Sequence, residues 1–291
     1  MQKSPLVSVI VHSRNSENFI GSCLESLINQ SYKNFEIIVV DNNSNDRTKL
    51  IAACYTDKIY NFGPERIQQI NFGVECSQGK YIFWRGTNSI VEKNYIEKAV
   101  KKCEEEDCDA IYLNVITQVN NPNIWQKARL VERECYYLQT GMSSAKFCKK
   151  DVFLKLGGLD EKLGAIADDL EFQHRLNLNG YKTCFIEANV LYQGEYNSAR
   201  IIMKRSLYYG WLMIRYYQKH PKKFRSQYKL IRNEFKRNIL MKDKKVFIFF
   251  ILYKTIQYFF GITGVVLAKI SGNNLRVEKF LYKINFNSTV S

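Results

Sequence analysis

The sequence predicts an α/β fold, a mostly parallel central sheet flanked by helices, and three observations lead there. Short apolar runs alternate with stretches of helical periodicity over the first hundred or so residues; the strand-like runs are apolar throughout, as in a sheet covered on both faces; and polar residues gather where those runs end. With 46% hydrophobic and 24% charged residues, the chain of 291 has the composition of a folded protein, which excludes a disordered or fibrous one. Its length predicts one large domain, or one domain with an appendage.

Residues 6–11 (LVSVIV) read as the first strand. Residues 19–29 follow as a helix, with Ile20, Cys23, Leu24, Leu27 and Ile28 on one stripe. A second buried strand, residues 35–40 (FEIIVV), ends at Asp41, and the polar loop of residues 42–47 leads into another helix. Residues 80–84 (KYIFW) read as a later strand, and residues 170–178 as a helix with Phe172, Leu176 and Leu178 among its apolar members. Ligands of such sheets collect at the carboxyl ends of the strands, so His12, Asp41 and the residues after Trp84 are expected around one crevice.

The eight cysteines include no C-x-x-C pair, and the start of the chain lacks the pattern of a signal peptide. Neither a disulfide framework nor a zinc site is expected, and the compartment is read as reducing and cytoplasmic.

Charge is concentrated. Residues 197–245 hold fifteen Lys or Arg against Glu234 and Asp243, which is +13 of the net +15. Such a segment seeks nucleic acid or anionic lipid. The next stretch, residues 246–268 (VFIFFILYKTIQYFFGITGVVLA), favours the membrane surface, and a nucleic-acid partner is not expected. Residues 204–225 fit an amphipathic helix with a basic face leading to this anchor. Whether the apolar run spans stays open: a central Lys254 costs roughly 2.5–3.5 kcal/mol on insertion scales. Gly261 and Gly264 suggest a break, so two short interfacial helices with Lys254 snorkelling, or a buried soluble helix, are the alternatives.

Three ordered segments carry a resemblance: SVIVHSRNSENFIGSCLESLINQSYKNFEIIVVDNNSNDRT, GPERIQQINFGVECSQGKYI and LGGLDEKLGAIADDLEFQHRLNLNGYK. Together they resemble the family 2 glycosyltransferases, GT-A fold enzymes that move a sugar from a nucleotide diphosphate carrier, and the second segment resembles archaeal members. The likeness covers roughly residues 5–220. It implies a GT-A domain over residues 1–220, followed by a basic, apolar, membrane-associated extension over 221–291.

The resemblance also assigns roles. Asp41 would accept a hydrogen bond from the base or ribose of the donor, or else cap the next helix with Ser44. Asn42 stands where the family often has a second aspartate. Arg66 would face the diphosphate, or else pair with Glu65 or a neighbouring helix. Asn71 and Gly73 match an N-x-G that would let the chain turn near the nucleotide. In ADDLEF, Asp169 would be the general base that deprotonates the acceptor, with Asp168 beside it on the acceptor side; both could instead be acids favoured at a helix N-terminus.

The departure lies in WRGTNS. The family's D-x-D, which holds Mg²⁺ or Mn²⁺ against the diphosphate, aligns here with Gly86 and Asn88, so neither carboxylate is present. Tyr192 occupies a position where a metal-contacting His is common, and His12 replaces a Pro as a polar lining residue. No cofactor is certain: Mg²⁺ or Mn²⁺ remains an alternative, although the ion would lose its ligands as a set. Arg85 and Arg66 could supply the missing charge, or Arg85 could face elsewhere. The expected function is inverting glycosyl transfer from a nucleotide sugar to a lipid-linked or cell-surface glycan, at the cytoplasmic face of an anionic membrane, with metal independence and a retained Mg²⁺ or Mn²⁺ both left open. The alternative is a GT-A module that binds without turnover.

Overall fold

The computed structural model describes residues 4–137, 144–164, 166–222, 224, 244–272 and 274–286. They cluster into two units: residues 1–118, 143–164 and 168–193 form the first, and residues 119–142, 165–167 and 194–291 the second.

In the first unit β1 (Val7–Ser13), β2 (Phe35–Asp41), β3 (Ile59–Asn61) and β4 (Tyr81–Gly86) are parallel. The helices α1 (Glu17–Ile28), α2 (Thr48–Ala52) and α3 (Arg66–Glu75) connect them in order. Beyond β4 the chain forms β5 (Ser89–Val91), α4 (Tyr95–Glu106), β6 (Ala110–Tyr112) and β7 (Val115–Gln118). After residue 143 come β8 (Ala145–Lys149), α6 (Lys150–Lys155), α7 (Asp168–Leu178), β9 (Thr183–Cys184) and β10 (Val190–Gln193), with α5 (Ile124–Tyr137) belonging to the second unit. The main sheet runs β3-β2-β1-β4-β8-β6-β9, with β8 antiparallel to both neighbours; a small sheet runs β5-β10-β7. The predicted strands and first helix are thus present, each within two residues of its expected ends.

Strand alternation sorts the side chains. Val7, Val9, Val11, Tyr81 and Phe83 face one side, packed on α1 and α4. Ile10, Ile38, Ile82 and Trp84 face the other, packed on α3, α6 and α7. Burial of both faces explains why the strand sequences are apolar throughout. Strand order reverses about β1, whose two neighbours are β2 and β4, and this opens a crevice at their carboxyl ends. Ser13 is there in register with Asp41, and His12 with Gly86.

Three expectations need correction. Cys108 and Cys184 form a disulfide, because parallel pairing of β6 with β9 brings residues 76 apart in sequence to a Cα separation of 6.1 Å. Cysteine spacing carries no trace of that pairing; among the described residues Cys23, Cys54, Cys76, Cys103 and Cys148 are free. Asn71 and Gly73 make no turn: both lie inside α3. Asn71 Nδ2 donates to the Leu159 carbonyl at 2.9 Å, and a Cβ on Gly73 would come within 2.5 Å of Ile10 Cγ2, so this glycine lets the helix approach β1.

The third correction lies in the second unit, where α8 (Ala199–Lys219), α9 (Lys244–Ile270) and α10 (Leu275–Phe286) join α5. The apolar run forms one unbroken helix. Gly261 and Gly264 serve a close crossing instead of a break: a Cβ on Gly210 of α8 would lie 2.0 Å from the Gly261 carbonyl oxygen, and one on Gly264 would lie 2.2 Å from that of Leu207. Lys254 has a partner, since its Nζ donates to Glu132 Oε1 of α5 at 2.7 Å. Tyr253 donates to Oε2 of the same buried carboxylate at 2.6 Å, and Arg129 pairs with it as well. The basic stretch between α8 and α9 lies mostly outside the described residues, including the end of the amphipathic segment expected to reach residue 225.

Candidate functional site

The site is assembled at the carboxyl ends of β1, β2 and β4, entirely within the first unit. Asp41, the last residue of β2, is fully buried. Its Oδ1 accepts from Ser13 Oγ at 2.7 Å and Ser44 Oγ at 2.6 Å, and its Oδ2 accepts from the Ser44 amide at 2.7 Å. The carboxylate therefore fixes the polar loop into a turn. The helix that follows is capped by Asp46, which accepts from the Thr48 amide at 3.0 Å. Asn42 donates to the Pro64 carbonyl. Gln69 of α3, given no role from the sequence, donates to the carbonyls of Ser13 at 2.9 Å and Val40 at 2.6 Å and so ties the ends of β1 and β2 together.

Gly86 and Asn88 sit at the end of β4 and in the turn to β5. A Cβ on Gly86 would lie 3.2 Å from His12 Nε2 and 3.3 Å from Asn88 Oδ1. Two departures from the family pattern, at positions 12 and 86, are therefore neighbours in space: a side chain at 86 would press against the imidazole. Burial, then the positive charges of Arg66, Lys146 and Arg85, lower the His12 pKa to about 3, so the ring is neutral. Its Nδ1 is buried without a hydrogen-bond partner.

Arg85 follows the alternation of β4 onto the side of Tyr81 and Phe83. It is only 6% exposed, its Nη2 donates to Ser89 Oγ at 2.5 Å, and its Nε has no partner. Tyr192 of β10 lies in register with Ser89, the residue that accepts from Arg85. Arg85 thus supports the Gly86–Asn88 turn from beneath, on the face of the sheet opposite Arg66.

Arg66 opens α3 and pairs with Asp168 of α7, the ion pair with a neighbouring helix that was its structural alternative. Asp168 and Asp169 open α7, where an acid also benefits from the helix dipole. Asp168 is buried, whereas the Asp169 side chain is 35% exposed. Asp169 accepts from Ser144 Oγ at 3.1 Å and from the Leu170 amide at 2.9 Å. Lys146 of β8 places Nζ 3.4 Å from Asp169 Oδ2 and 5.8 Å from the centre of the Trp84 ring. Burial raises the Asp169 pKa, but Lys146 and then Arg66 outweigh it and hold the carboxyl down at about 2. Lys146 is the residue that sequence reasoning missed. It comes from a strand added antiparallel to β4, and no motif marks it.

The donor set does not suit a hard divalent ion. Gly86 offers only backbone, Asn88 a neutral carbonyl and Tyr192 a phenol, where carboxylates would be needed. Among the described residues no group of three His, Cys, Asp or Glu is placed to hold a metal. The cations acting on His12 are Arg66, Lys146 and Arg85, the first two each against a carboxylate.

The profile of Glycosyl transferase family 2 matches residues 8–156. An uncharacterized glycosyltransferase of Rickettsia typhi is 37% identical over 100 residues, 33% of this chain and 31% of that protein. Glycosyltransferase GlyG of Streptococcus pneumoniae is 30% identical over 118 residues, 38% and 39% of the two chains. The aligned region therefore spans 31–39% of these relatives' length. Among solved structures, the mannosyltransferase PcManGT from Pyrobaculum calidifontis, in complex with GDP-Man and Mn²⁺, shares the fold with a TM-score of 0.55 at 14% identity, covering 99% of this chain and 89% of that one. Residues 1–349 of Staphylococcus aureus TarS, in complex with UDP-GlcNAc, superpose with a TM-score of 0.50 at 17% identity, covering 87% and 90%.

Proposed function

Because the chain belongs to glycosyl transferase family 2, we propose that it moves a sugar, with inversion, from a nucleotide diphosphate donor to a lipid-linked or cell-surface glycan, and that it does so without a metal ion. The observation that carries this reading is Asp169, a partly exposed carboxylate beside two cations at the mouth of the crevice. The acceptor hydroxyl attacks the anomeric carbon as the bond from that carbon to the β-phosphate oxygen breaks. The nucleoside diphosphate leaves with the electron pair, and the hydroxyl proton passes to Asp169. Charge building on the diphosphate is met by guanidinium and ammonium groups.

In this reading the loop held by Asp41, with Asn42 at its edge, receives the nucleoside. Gly86, Asn88 and Tyr192 line the floor, Arg85 holds that floor through Ser89, and Arg66 reaches the diphosphate. Asp168 orients Arg66 at the acceptor side. Residues 1–220 are read as the transferase domain.

Residues 221–291 are read as the attachment to an anionic membrane. The support is a stripe along α9, Ile248, Ile251, Phe259, Ile262, Val266 and Ile270, whose members are 46–79% exposed. The helix is long and apolar enough to cross a bilayer, with a mean hydropathy of 1.6 over its most apolar window. Its opposite side, with Tyr253 and Gly264, packs on α5 and α8. One exposed stripe, together with a lysine neutralised by Glu132, favours a helix lying in the interface over one surrounded by lipid. The basic stretch favours the cytoplasmic leaflet, whose surface is negative.

The test is a panel of UDP- and GDP-sugars incubated with the full-length protein and membrane lipids, with nucleoside diphosphate release as the readout. Release with at least one donor, abolished by Asp169→Asn, is the expected result; no release with any donor contradicts transfer. A second reading, a module that binds a donor without turnover, is favoured by the missing D-x-D alone, and donor binding without release would select it.

A further inference from the structure

Lys146 and Arg66 stand on the same side of the sheet as His12, against two consecutive carboxylates. Arg66 pairs with Asp168, and Lys146 Nζ lies 3.4 Å from Asp169 Oδ2. Their positive charges also act on His12 of β1, whose Nδ1 is buried and unpartnered, as is Arg85 Nε on the other face of the neighbouring strand β4. Two cations matched by two carboxylates, beside a buried ring nitrogen without a partner, form a polar cluster in which an anion can take over the ammonium and guanidinium from the carboxylates.

Position matters as much as charge. Lys146 rises from β8 with its ammonium 5.8 Å from the centre of the Trp84 ring, which is fixed in the core by Phe153 and Phe172, and its side chain is only 15% exposed. A restrained lysine loses little freedom on binding. Arg66, at the start of α3 and 38% exposed, can turn from Asp168 toward a ligand.

On the reading that the chain takes a nucleotide sugar, we propose that Lys146 is a diphosphate-binding residue, paired with Arg66 in place of the lost metal ligands, and that by exchanging Asp169 for phosphate it frees that carboxylate to act as base only when a donor is present. Without donor, the ammonium and guanidinium keep Asp169 a weak base. The groups facing Asp169 are Lys146 and Ser144 near β8, Arg66 from α3, and Asp168 on its own helix. A diphosphate between the two cations turns them away and adds negative charge of its own. Both effects raise the carboxyl pKa toward the range in which it accepts a proton. A hydroxyl is then deprotonated only beside a loaded donor.

The experiment measures UDP and GDP binding to the full-length protein in EDTA by calorimetry, for wild type, Lys146→Gln and Lys146→Arg, with uridine and guanosine as nucleoside controls. The expected result is that Lys146→Gln weakens diphosphate binding by about 10- to 100-fold, the range for a lost hydrogen bond to a charged group, while Lys146→Arg retains most of it and nucleoside binding is unchanged. The Asp169 carboxyl, followed by ¹³C NMR, should titrate higher in Lys146→Gln and in wild type with the diphosphate bound. Wild-type binding that Lys146→Gln leaves intact, or an Asp169 titration unmoved by either change, overturns this proposal and leaves the donor reading standing. A wild type that binds neither diphosphate overturns both.

Discussion

Asp169 is surrounded by groups that stabilise its ionised form, and Asn at that position keeps the shape and one acceptor while removing basicity. Asp169→Asn should lower transfer by about 10²–10⁴-fold, the usual contribution of a positioned base, with nucleoside diphosphate affinity above wild type because Lys146 is released; turnover within a few-fold of wild type removes Asp169 from the mechanism. His12 gives a pH prediction. Its folded-state pKa, near 3, lies below the ordinary 6.5. The unfolded chain takes up a proton that the folded chain refuses, so the stability His12 contributes is present above about pH 6.5 and is lost as pH falls toward 3. Replacement by Asn should flatten that part of the stability-against-pH curve measured by urea unfolding. At this scale the sequence showed what was missing more readily than what replaced it. Gly86 and Asn88 were legible by alignment with a motif, whereas Lys146 acts through a strand pairing between residues some sixty apart. The partnership of His12 with Gly86 likewise depends on β1 and β4 being neighbours in register.

The strands and α1 were legible because burial on two faces leaves continuous apolar runs, and burial on one leaves a helical stripe. The long helix α9 was legible in extent and not in continuity. A glycine in a helix reads as a weak point until the partner helix is known, and here Gly210, Gly261 and Gly264 let two backbones meet. Gly264→Val should therefore cost about 1–3 kcal/mol, the usual cost of overpacking, read as a lower urea midpoint. A midpoint equal to wild type would mean that the crossing is loose. The Cys108–Cys184 disulfide was illegible for the same reason as Lys146: parallel pairing of β6 with β9 sets it, and spacing along the chain does not.

For the whole molecule, charge and apolar surface make the membrane prediction. Full-length protein should sediment more completely with vesicles containing anionic lipid than with neutral ones. Salt should release it only in part, because screening weakens the basic segment and leaves the α9 stripe untouched. Complete release by salt would show that charge alone holds the protein.

The claim that organises the site is that a nucleotide diphosphate is handled by side-chain cations. It is tested most directly by sugar transfer from the active donor measured in excess EDTA and again in Mn²⁺. Rates equal within about threefold, with loss of donor affinity in Arg66→Ala and Lys146→Gln, are what the arrangement predicts. Activity abolished by EDTA and restored by Mn²⁺ would contradict it.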